Sequence, residues 1–175
     1  MIITITGDPG SGKSTVGKEL AKKLGYKFYS MGDLRGEMAA EKGMTIDEFN
    51  KLGETDPSTD KKADEYQTKL ATQDKIIIDS RLGWHFLPKA FKIKLTVDEK
   101  IAAERILKNP RKDEKTYTSV NELLDANKKR QACDAMRYKK WYGIDTAKAK
   151  FDIVIDTTHK TVEEITKEIL AKIKT

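Results

Sequence analysis

The sequence has few of the features that mark disulfide-bonded, secreted or membrane proteins. Its 175 residues include one cysteine, Cys133, so an internal disulfide is excluded and a reducing compartment is expected. No apolar run approaches the roughly 20 residues needed to span a bilayer. The N-terminus lacks a basic stretch followed by an apolar segment and a cleavage site. We therefore expect a cytoplasmic protein with no membrane partner.

Charge is plentiful but scattered along the chain. Lysine and arginine number 34 against 28 aspartate and glutamate, which gives a formal net charge of +6. No basic run is interleaved with aromatic residues, the pattern that would favour a nucleic-acid-binding face. The excess is interpreted as solvated surface plus a cleft that collects phosphate groups, so small anionic substrates are expected rather than nucleic acid. The length suits one domain, and we expect a monomer.

The clearest motif lies near the N-terminus. A β-rich run, Ile2 to Thr6, precedes a glycine-rich turn, and helix-forming residues follow. Gly7, four further residues and then Gly12-Lys13-Ser14 form the phosphate-binding P-loop pattern, in which backbone N–H groups and a helix N-terminus face phosphate oxygens. A turn that binds nothing is the alternative. The residues expected to bind ATP are Gly7, Asp8, Pro9, Gly10, Ser11, Gly12, Lys13, Ser14 and Thr15.

The rest of the chain alternates strand-like and helix-like segments. Strands are predicted at 26–29, where the pattern alternates, and at 75–79, 91–97 and 151–156. The apolar run at 75–79 is typical of a buried parallel strand. Helical signals fill the segments between them, including the start signal Asp56-Pro57 of a helix predicted to reach Gln73. Residues 108–119 are predicted to form a loop before a long helix that ends near Gly143. The pattern predicts an α/β fold with a parallel sheet and helices on both faces.

Polar residues follow the third predicted strand. Asp79 ends it and is placed to hold Mg²⁺ together with the Ser14 hydroxyl. Arg81 comes two residues later and is suited to a bidentate grip on a phosphate, while Trp84 is placed to flank a base. The alternatives are a structural acid at a strand end and a surface arginine.

The long helix carries a second pair of cations. Arg130 and Arg137 are seven residues apart, which puts both on one helix face. Phosphoryl transfer needs positive charge around the transferred group, and arginines on a mobile segment supply it when a site closes. An exposed charged stripe is the alternative.

An acidic row precedes the third strand. Asp56, Asp60 and Asp64 recur every four residues, and Gln67 shares the same broad face. Carboxylates facing a cleft are natural acceptors for the exocyclic amino group of cytosine. A solvated face balanced by nearby lysines is the alternative.

These motifs together resemble the nucleoside monophosphate (NMP) kinases, and among them most closely the archaeal-type cytidylate kinases. The resemblance runs nearly end to end. The matching segments are the P-loop at 7–14, Ser30-Met31-Gly32-Asp33, Lys42-Gly43-Met44, Asp56-Pro57 through Gln67, Arg81-Leu82-Gly83-Trp84, and Arg130 through Arg137-Tyr138 to Tyr142-Gly143-Ile144-Asp145.

The resemblance implies a P-loop NTPase fold with a five-stranded parallel sheet, a helical NMP-binding insertion and a lid. It implies transfer of the γ-phosphoryl group from ATP to CMP or dCMP with Mg²⁺. The expected divisions are a core of 1–29, 74–107 and 141–175, an insertion at 30–73 and a lid at 108–140.

The resemblance also implies roles for single residues. Lys13 stabilises the transferred group, Ser14 and Asp79 hold the metal, and Arg130 and Arg137 close over the reaction. The residues expected to bind the acceptor NMP are Ser30, Gly32, Asp33, Arg35, Asp60, Asp64, Gln67, Arg81, Gly83 and Trp84.

The sequence departs from the family pattern on the acceptor side. The usual acceptor-binding arginine is replaced by Gly36, and Arg35 stands one position earlier, about 100° around a helix. Asp79-Ser80 stands where the archaeal type often has Glu-Gly. Adenylate kinase or another small-molecule P-loop kinase, and a non-catalytic nucleotide-binding regulator, are the alternative functions.

Overall fold

The computed structural model describes residues 1–110 and 117–173. Its strands are β1 Ile2–Gly7, β2 Lys27–Ser30, β3 Ile76–Asp79, β4 Phe91–Thr96 and β5 Ile153–Asp156. Its helices are α1 Lys13–Leu24, α2 Met31–Glu41, α3 Ile46–Leu52, α4 Ser58–Leu70, α5 Gly83–Phe86, α6 Glu99–Lys108, α7 Val120–Tyr142 and α8 Val162–Ile173. No helix among the described residues is both long and apolar enough to cross a membrane.

The five strands form one parallel sheet in the order β2-β3-β1-β4-β5, which confirms the predicted sheet. β3 therefore lies between β1 and β2, although both precede it in the sequence. Ile5 of β1 and Ser30 of β2 are both aligned with Asp79 at the end of β3. Because carboxyl ends of parallel strands share one edge, the turn after β1 and the Asp79 carboxylate meet there.

Apolar side chains cover both faces of the sheet. Ile77 packs in a core with α1 and α8, whereas its neighbours Ile76 and Ile78 point to the opposite face and pack with α2 and α4. All three side chains are fully buried. A central parallel strand covered on both faces reads as a continuous apolar run, which is why β3 was visible in the sequence.

Several predicted boundaries were wrong by a few residues. α4 begins at Ser58, because the Asp56 carboxylate accepts from the Ser58 N–H at 2.9 Å and Pro57 takes the cap position. It ends at Leu70, three residues before the predicted end at Gln73. The one-turn α5 and a short 3₁₀ turn, Thr146–Lys148, carry no periodicity that sequence reasoning detects. Of the predicted 108–119 loop, residues 111–116 lie outside the described residues.

α7 is the longest described helix and ends as predicted. Its N-cap is Ser119, whose hydroxyl accepts from the Glu122 N–H, and its C-cap is Gly143 at φ 66°. A left-handed residue at that position favours glycine and closes a helix. α7 packs against both α6 and α3. It therefore contacts the group of helices α2–α4 between β2 and β3, which we call the insertion for their place in the sequence.

Candidate active site

The turn between β1 and α1 has the backbone shape of a phosphate cradle. Gly7 sits so close to β4 that a Cβ would lie 2.2 Å from the carbonyl oxygen of Leu95. Gly12, at φ 84°, takes a left-handed conformation at the N-cap of α1, where no side chain caps the helix. The first N–H groups of α1 are thus left for an outside anion. The local structure predicted for residues 7–15 is confirmed, while their binding role stays a prediction.

The side chains of Lys13 and Ser14 leave this turn in different directions. The Lys13 amine donates to the carbonyl oxygen of Asp8 at 2.9 Å. The Ser14 hydroxyl donates to the Asp79 carboxylate, which is 7% exposed. The two residues predicted to hold a metal are therefore in direct contact, Ser14 from the first turn of α1 and Asp79 from the end of β3.

Three cations from distant parts of the chain influence one another's charge near the turn. Burial lowers the pKa of the Lys13 amine, Asp79 opposes that shift, and the charges of Arg81 and Arg130 add to it. Burial, followed by the charge of Arg130, lowers the pKa of Arg81 to about 10. Like charges gathered at this density repel one another, and a polyanion placed among them relieves that repulsion.

Arg81 also belongs to a largely buried network of charged side chains. Asp134 accepts from Arg137 at 2.6 Å and is also ion-paired with Arg81. Asp60 accepts from Arg35 at 2.7 Å and lies 3.6 Å from the Nε of Arg137. We call Arg35, Asp60, Arg81, Asp134 and Arg137 the arginine cluster. It holds three cations and two anions, so it keeps a net positive charge.

Arg137 is the most deeply placed member of the arginine cluster, with 1% of its surface exposed. Its NH1 donates to the carbonyl oxygen of Asn50 at 3.2 Å, which ties α7 to α3 in the insertion. This contact excludes the exposed charged stripe as an explanation for Arg137. Its role in the transfer step stays a prediction.

Arg35 turns into the insertion rather than away from it. Its Nε donates to the Asn50 side chain at 2.8 Å, and its NH1 donates to the Thr59 carbonyl oxygen and to Asp60. Its NH2 atom is buried without a hydrogen-bond partner. Burial lowers the pKa of this guanidinium and Asp60 opposes the shift.

A chain of hydrogen bonds joins α4 to the ends of β3 and α7. The Ser80 hydroxyl donates to the Gln67 side chain, Gln67 donates to Asp64 at 3.1 Å, and the Tyr142 hydroxyl donates to the other Asp64 oxygen. We call Ser80, Gln67, Asp64 and Tyr142 the polar chain. Asp60 and Gln67 are 6% and 2% exposed, so the solvated-face alternative fails for both.

The remaining predicted residues hold local structure. The Ser30 hydroxyl accepts from the Asp33 N–H at 3.1 Å and caps α2, with Gly32 in the same turn. Gly83 packs against Thr4, and the Trp84 indole donates to the Arg81 carbonyl oxygen at 3.0 Å. Trp84 also meets Phe151 edge to face, so its ring is engaged within the protein.

Sequence reasoning missed two aromatic side chains, Tyr142 within the polar chain and Phe86 next to it. Phe86 and Tyr142 meet edge to face at 5.7 Å and line a cavity of about 420 Å³ with Asp64. Sequence reasoning also gave no role to Asn50, whose side chain accepts a hydrogen bond from Arg35 and whose carbonyl oxygen accepts one from Arg137. Tyr142 stood in a motif matched by the resemblance, which was the one available signal.

The fold and the site together define a P-loop phosphotransferase: a glycine-rich phosphate-binding turn at the edge of a parallel sheet, with arginines nearby from the segment after β3 and from α7. A family model described as an AAA domain matches residues 3–132. The cytidylate kinase of Methanocella arvoryzae is 39% identical over 160 residues, which cover 90% of this chain and 88% of that protein. The chain belongs to the archaeal-type cytidylate kinase family of NMP kinases.

Two further comparisons bear on fold and length. The S-adenosylmethionine-dependent nucleotide dehydratase of Lacinutrix mariniflava is 36% identical over 166 residues, which are 93% of this chain but 34% of that protein. The solved shikimate kinase of Bacteroides thetaiotaomicron superposes with a TM-score of 0.70 at 15% identity, covering 100% of this chain and 99% of that one. At that identity the superposition shows the fold alone, and it confirms the predicted P-loop fold.

Proposed function

We propose that the protein transfers the γ-phosphoryl group of ATP to CMP, and also to dCMP, giving ADP and the nucleoside diphosphate. The observation that carries the proposal is the P-loop turn itself, where Gly12 leaves the N-terminus of α1 uncapped, Ser14 contacts Asp79, and the positive charges of Arg81 and Arg130 act on the buried Lys13 amine. Cytidylate kinase relatives that span most of the chain support CMP as the acceptor.

The chemistry needs positioning and charge neutralisation more than acid–base catalysis. A phosphate monoester is already an anion near neutral pH, so its oxygen attacks the γ-phosphorus in line without a dedicated base. We assign Lys13 to the transferred group, Arg81 and Arg35 to the acceptor phosphate, and Arg130 and Arg137 to the closed site. Fixed cations at these points lower the barrier because charge spreads over the equatorial and bridging oxygens.

Mg²⁺ is the proposed cofactor, held by Ser14 and Asp79. These residues offer one hydroxyl and one carboxylate, and Mg²⁺ favours such hard oxygen ligands. Among residues 1–110 and 117–173, no group of three or more His, Cys, Asp or Glu side chains is arranged to hold a metal ion. The pair therefore fits an ion whose other ligands are nucleotide phosphates and water, and when bound the ion would neutralise phosphate charge.

We divide the chain into three parts with separate roles in phosphoryl transfer. We assign the core to 1–29, 74–107 and 141–175, the NMP-binding insertion to 30–73 and the lid to 108–140. The contacts of α7 with both α6 and α3 support a lid that bears on donor and acceptor together. We further propose a monomer that acts on free nucleotides, with no nucleic-acid or membrane partner.

ADP formation is expected to require CMP and Mg²⁺ together, because the phosphates need both an acceptor and a counter-ion. A coupled ADP-release assay on the purified protein measures this, with CMP omitted in one control and Mg²⁺ removed by chelation in the other. ATP binding without ADP formation from any NMP would favour a non-catalytic regulator instead.

A further inference from the structure

A cavity of about 420 Å³ lies between α4, α5 and the C-terminal end of α7. This volume falls within the range of roughly 300–1,000 Å³ that is usual for small-molecule sites. Its wall residues are Lys61, Asp64, Glu65, Thr68, Lys69, Phe86 and Tyr142. The cavity surface is mostly apolar, and the rings of Phe86 and Tyr142 give it flat contacts that suit a planar heterocycle, while Asp64 adds a carboxylate next to the Tyr142 hydroxyl.

The cavity is linked to the proposed acceptor-phosphate residues through α4 and α5. Asp64 lies one helical turn after Asp60, about 6 Å along α4, and Asp60 is the ion-pair partner of Arg35. Arg81 stands two residues before α5, whose last residue, Phe86, forms part of the wall. The same two elements thus bear on the proposed acceptor-phosphate residues and on the cavity wall.

The Asp64 carboxylate is fixed in place but retains hydrogen-bonding capacity. One oxygen accepts from Gln67 at 3.1 Å and the other accepts from the Tyr142 hydroxyl. A carboxylate has about four acceptor positions, so about two remain for a ligand. Gln67 in turn accepts a hydrogen bond from the Ser80 hydroxyl. The hydrogen bonds of the polar chain therefore converge on Asp64, which acts only as an acceptor.

We propose that this cavity takes the pyrimidine base of the acceptor and that Tyr142 is a positioning residue that holds Asp64 as the acceptor for the cytosine amino group. The proposal rests on the proposed function and names the base-reading site within it. Cytosine presents an amino donor where uracil presents a carbonyl oxygen. An ionised Asp64 therefore attracts the first base and repels the second.

Protonation of Asp64 would reverse part of this preference. Burial raises the pKa of Asp64 to about 6, and the Tyr142 hydrogen bond opposes that shift because it stabilises the carboxylate. Below this pKa the carboxylic acid gains an O–H donor that suits the uracil carbonyl. CMP preference over UMP should thus be largest above about pH 6 and fall as the pH drops through that value.

Charged and titratable groups from several elements face Asp64. They are Tyr142 of α7, Arg35 of α2, and Asp60, Lys61, Glu65 and Lys69 of α4 itself. Asp60 raises the pKa of Asp64, and Arg35 lowers it. Among the described residues, the cavity wall contributed by α5 is Phe86, which does not titrate.

Tyr142→Phe tests the proposal, since it keeps the ring against Phe86 and removes the hydroxyl. We expect KM for CMP to rise about tenfold at neutral pH with kcat nearly unchanged, because one hydrogen bond to a charged group is lost. The CMP-over-UMP ratio of kcat/KM should fall by a similar factor. The acid limb of kcat/KM for CMP should also move to higher pH, because the carboxylate loses the donor that stabilised it.

Two variants complete the test. Asp64→Asn removes the charge at nearly the same shape, and its CMP-over-UMP ratio should fall at least as far and no longer depend on pH. Tyr29→Phe removes a hydroxyl that donates to Gln73 at 3.1 Å outside the cavity, and it should leave all these constants unchanged.

The outcomes separate the base-reading site from the proposed function. If the wild-type protein phosphorylates no NMP, both the proposed function and the base-reading site are contradicted. If the wild-type protein phosphorylates CMP but Tyr142→Phe and Asp64→Asn keep the wild-type base preference and pH profile, only the base-reading site is overturned. Weaker CMP use by Tyr142→Phe without a shifted acid limb would also overturn it, since that result indicates structural damage alone.

Discussion

Lys13→Ala is expected to lower kcat by about a thousandfold or more while the protein stays folded. The Lys13 amine is the cation nearest the phosphate-binding turn, and water does not replace a fixed charge in that position. Its removal should cost little stability, because the amine makes one hydrogen bond to the Asp8 carbonyl oxygen and lies among the like charges of Arg81 and Arg130. ADP release and the thermal unfolding midpoint, measured side by side, check both parts.

Lys22→Ala is the matched control for this experiment. Lys22 lies on the same helix, α1, in an exposed position. It should retain both turnover and the unfolding midpoint. Substantial turnover in Lys13→Ala would contradict the proposed role, and loss of the fold would show that the lysine is mainly structural.

Arg137→Ala is expected to lower the free energy of unfolding by about 3 kcal/mol and to remove activity with it. The side chain is almost wholly buried, and it contacts Asp134, Asp60 and the Asn50 carbonyl oxygen. Its loss leaves two buried carboxylates with one cation fewer and opens a cavity between α7 and α3. Urea unfolding at fixed pH measures the change.

Two variants on the same residue and helix sharpen this result. Arg137→Lys keeps the charge but loses the planar fork that reaches several partners, so its loss should be intermediate. Lys139→Ala, two positions later and exposed, should leave the urea midpoint unchanged. If Arg137→Ala shifts the midpoint no further than Lys139→Ala, then the arginine cluster does not hold the insertion against α7.

The sheet and the P-loop turn could be predicted from the sequence because each depends on a pattern within a short stretch of the chain. The turn needs glycines at fixed spacing between a strand and a helix, all within residues 2–15. β3 is a continuous apolar run that ends in Asp79. Neither prediction needed knowledge of what lies far away in the chain.

The arginine cluster could not be predicted in the same way. Arg137 and Asn50 are 87 positions apart in the sequence, and no local pattern says which of several arginines meets which acid. Arg35 illustrates the limit, because its helix position differs by about 100° from the usual one. Its long side chain nevertheless reaches Asn50 and Asp60, which helix geometry alone does not reveal.

The polar chain is a further product of tertiary packing. Asp64 and Gln67 share a helix face that periodicity identifies, but Tyr142 joins them from 78 positions away. From the sequence, a tyrosine at the end of an amphipathic helix fits a residue that packs in the core as well as one that donates a hydrogen bond to a carboxylate. Its hydroxyl finds a partner only because the tertiary fold brings the C-terminal end of α7 to Asp64 of α4.

A competition between acceptors tests whether the protein is a kinase specific for cytidine monophosphates. Purified protein receives ATP labelled at the γ-phosphate, Mg²⁺, and equal concentrations of CMP, dCMP, UMP, AMP and GMP at neutral pH, and the labelled diphosphates are separated. The account predicts that most of the label enters CDP and dCDP. Label entering ADP from AMP as fast as or faster than CDP would contradict cytidylate specificity, and no labelled diphosphate at all would contradict the kinase.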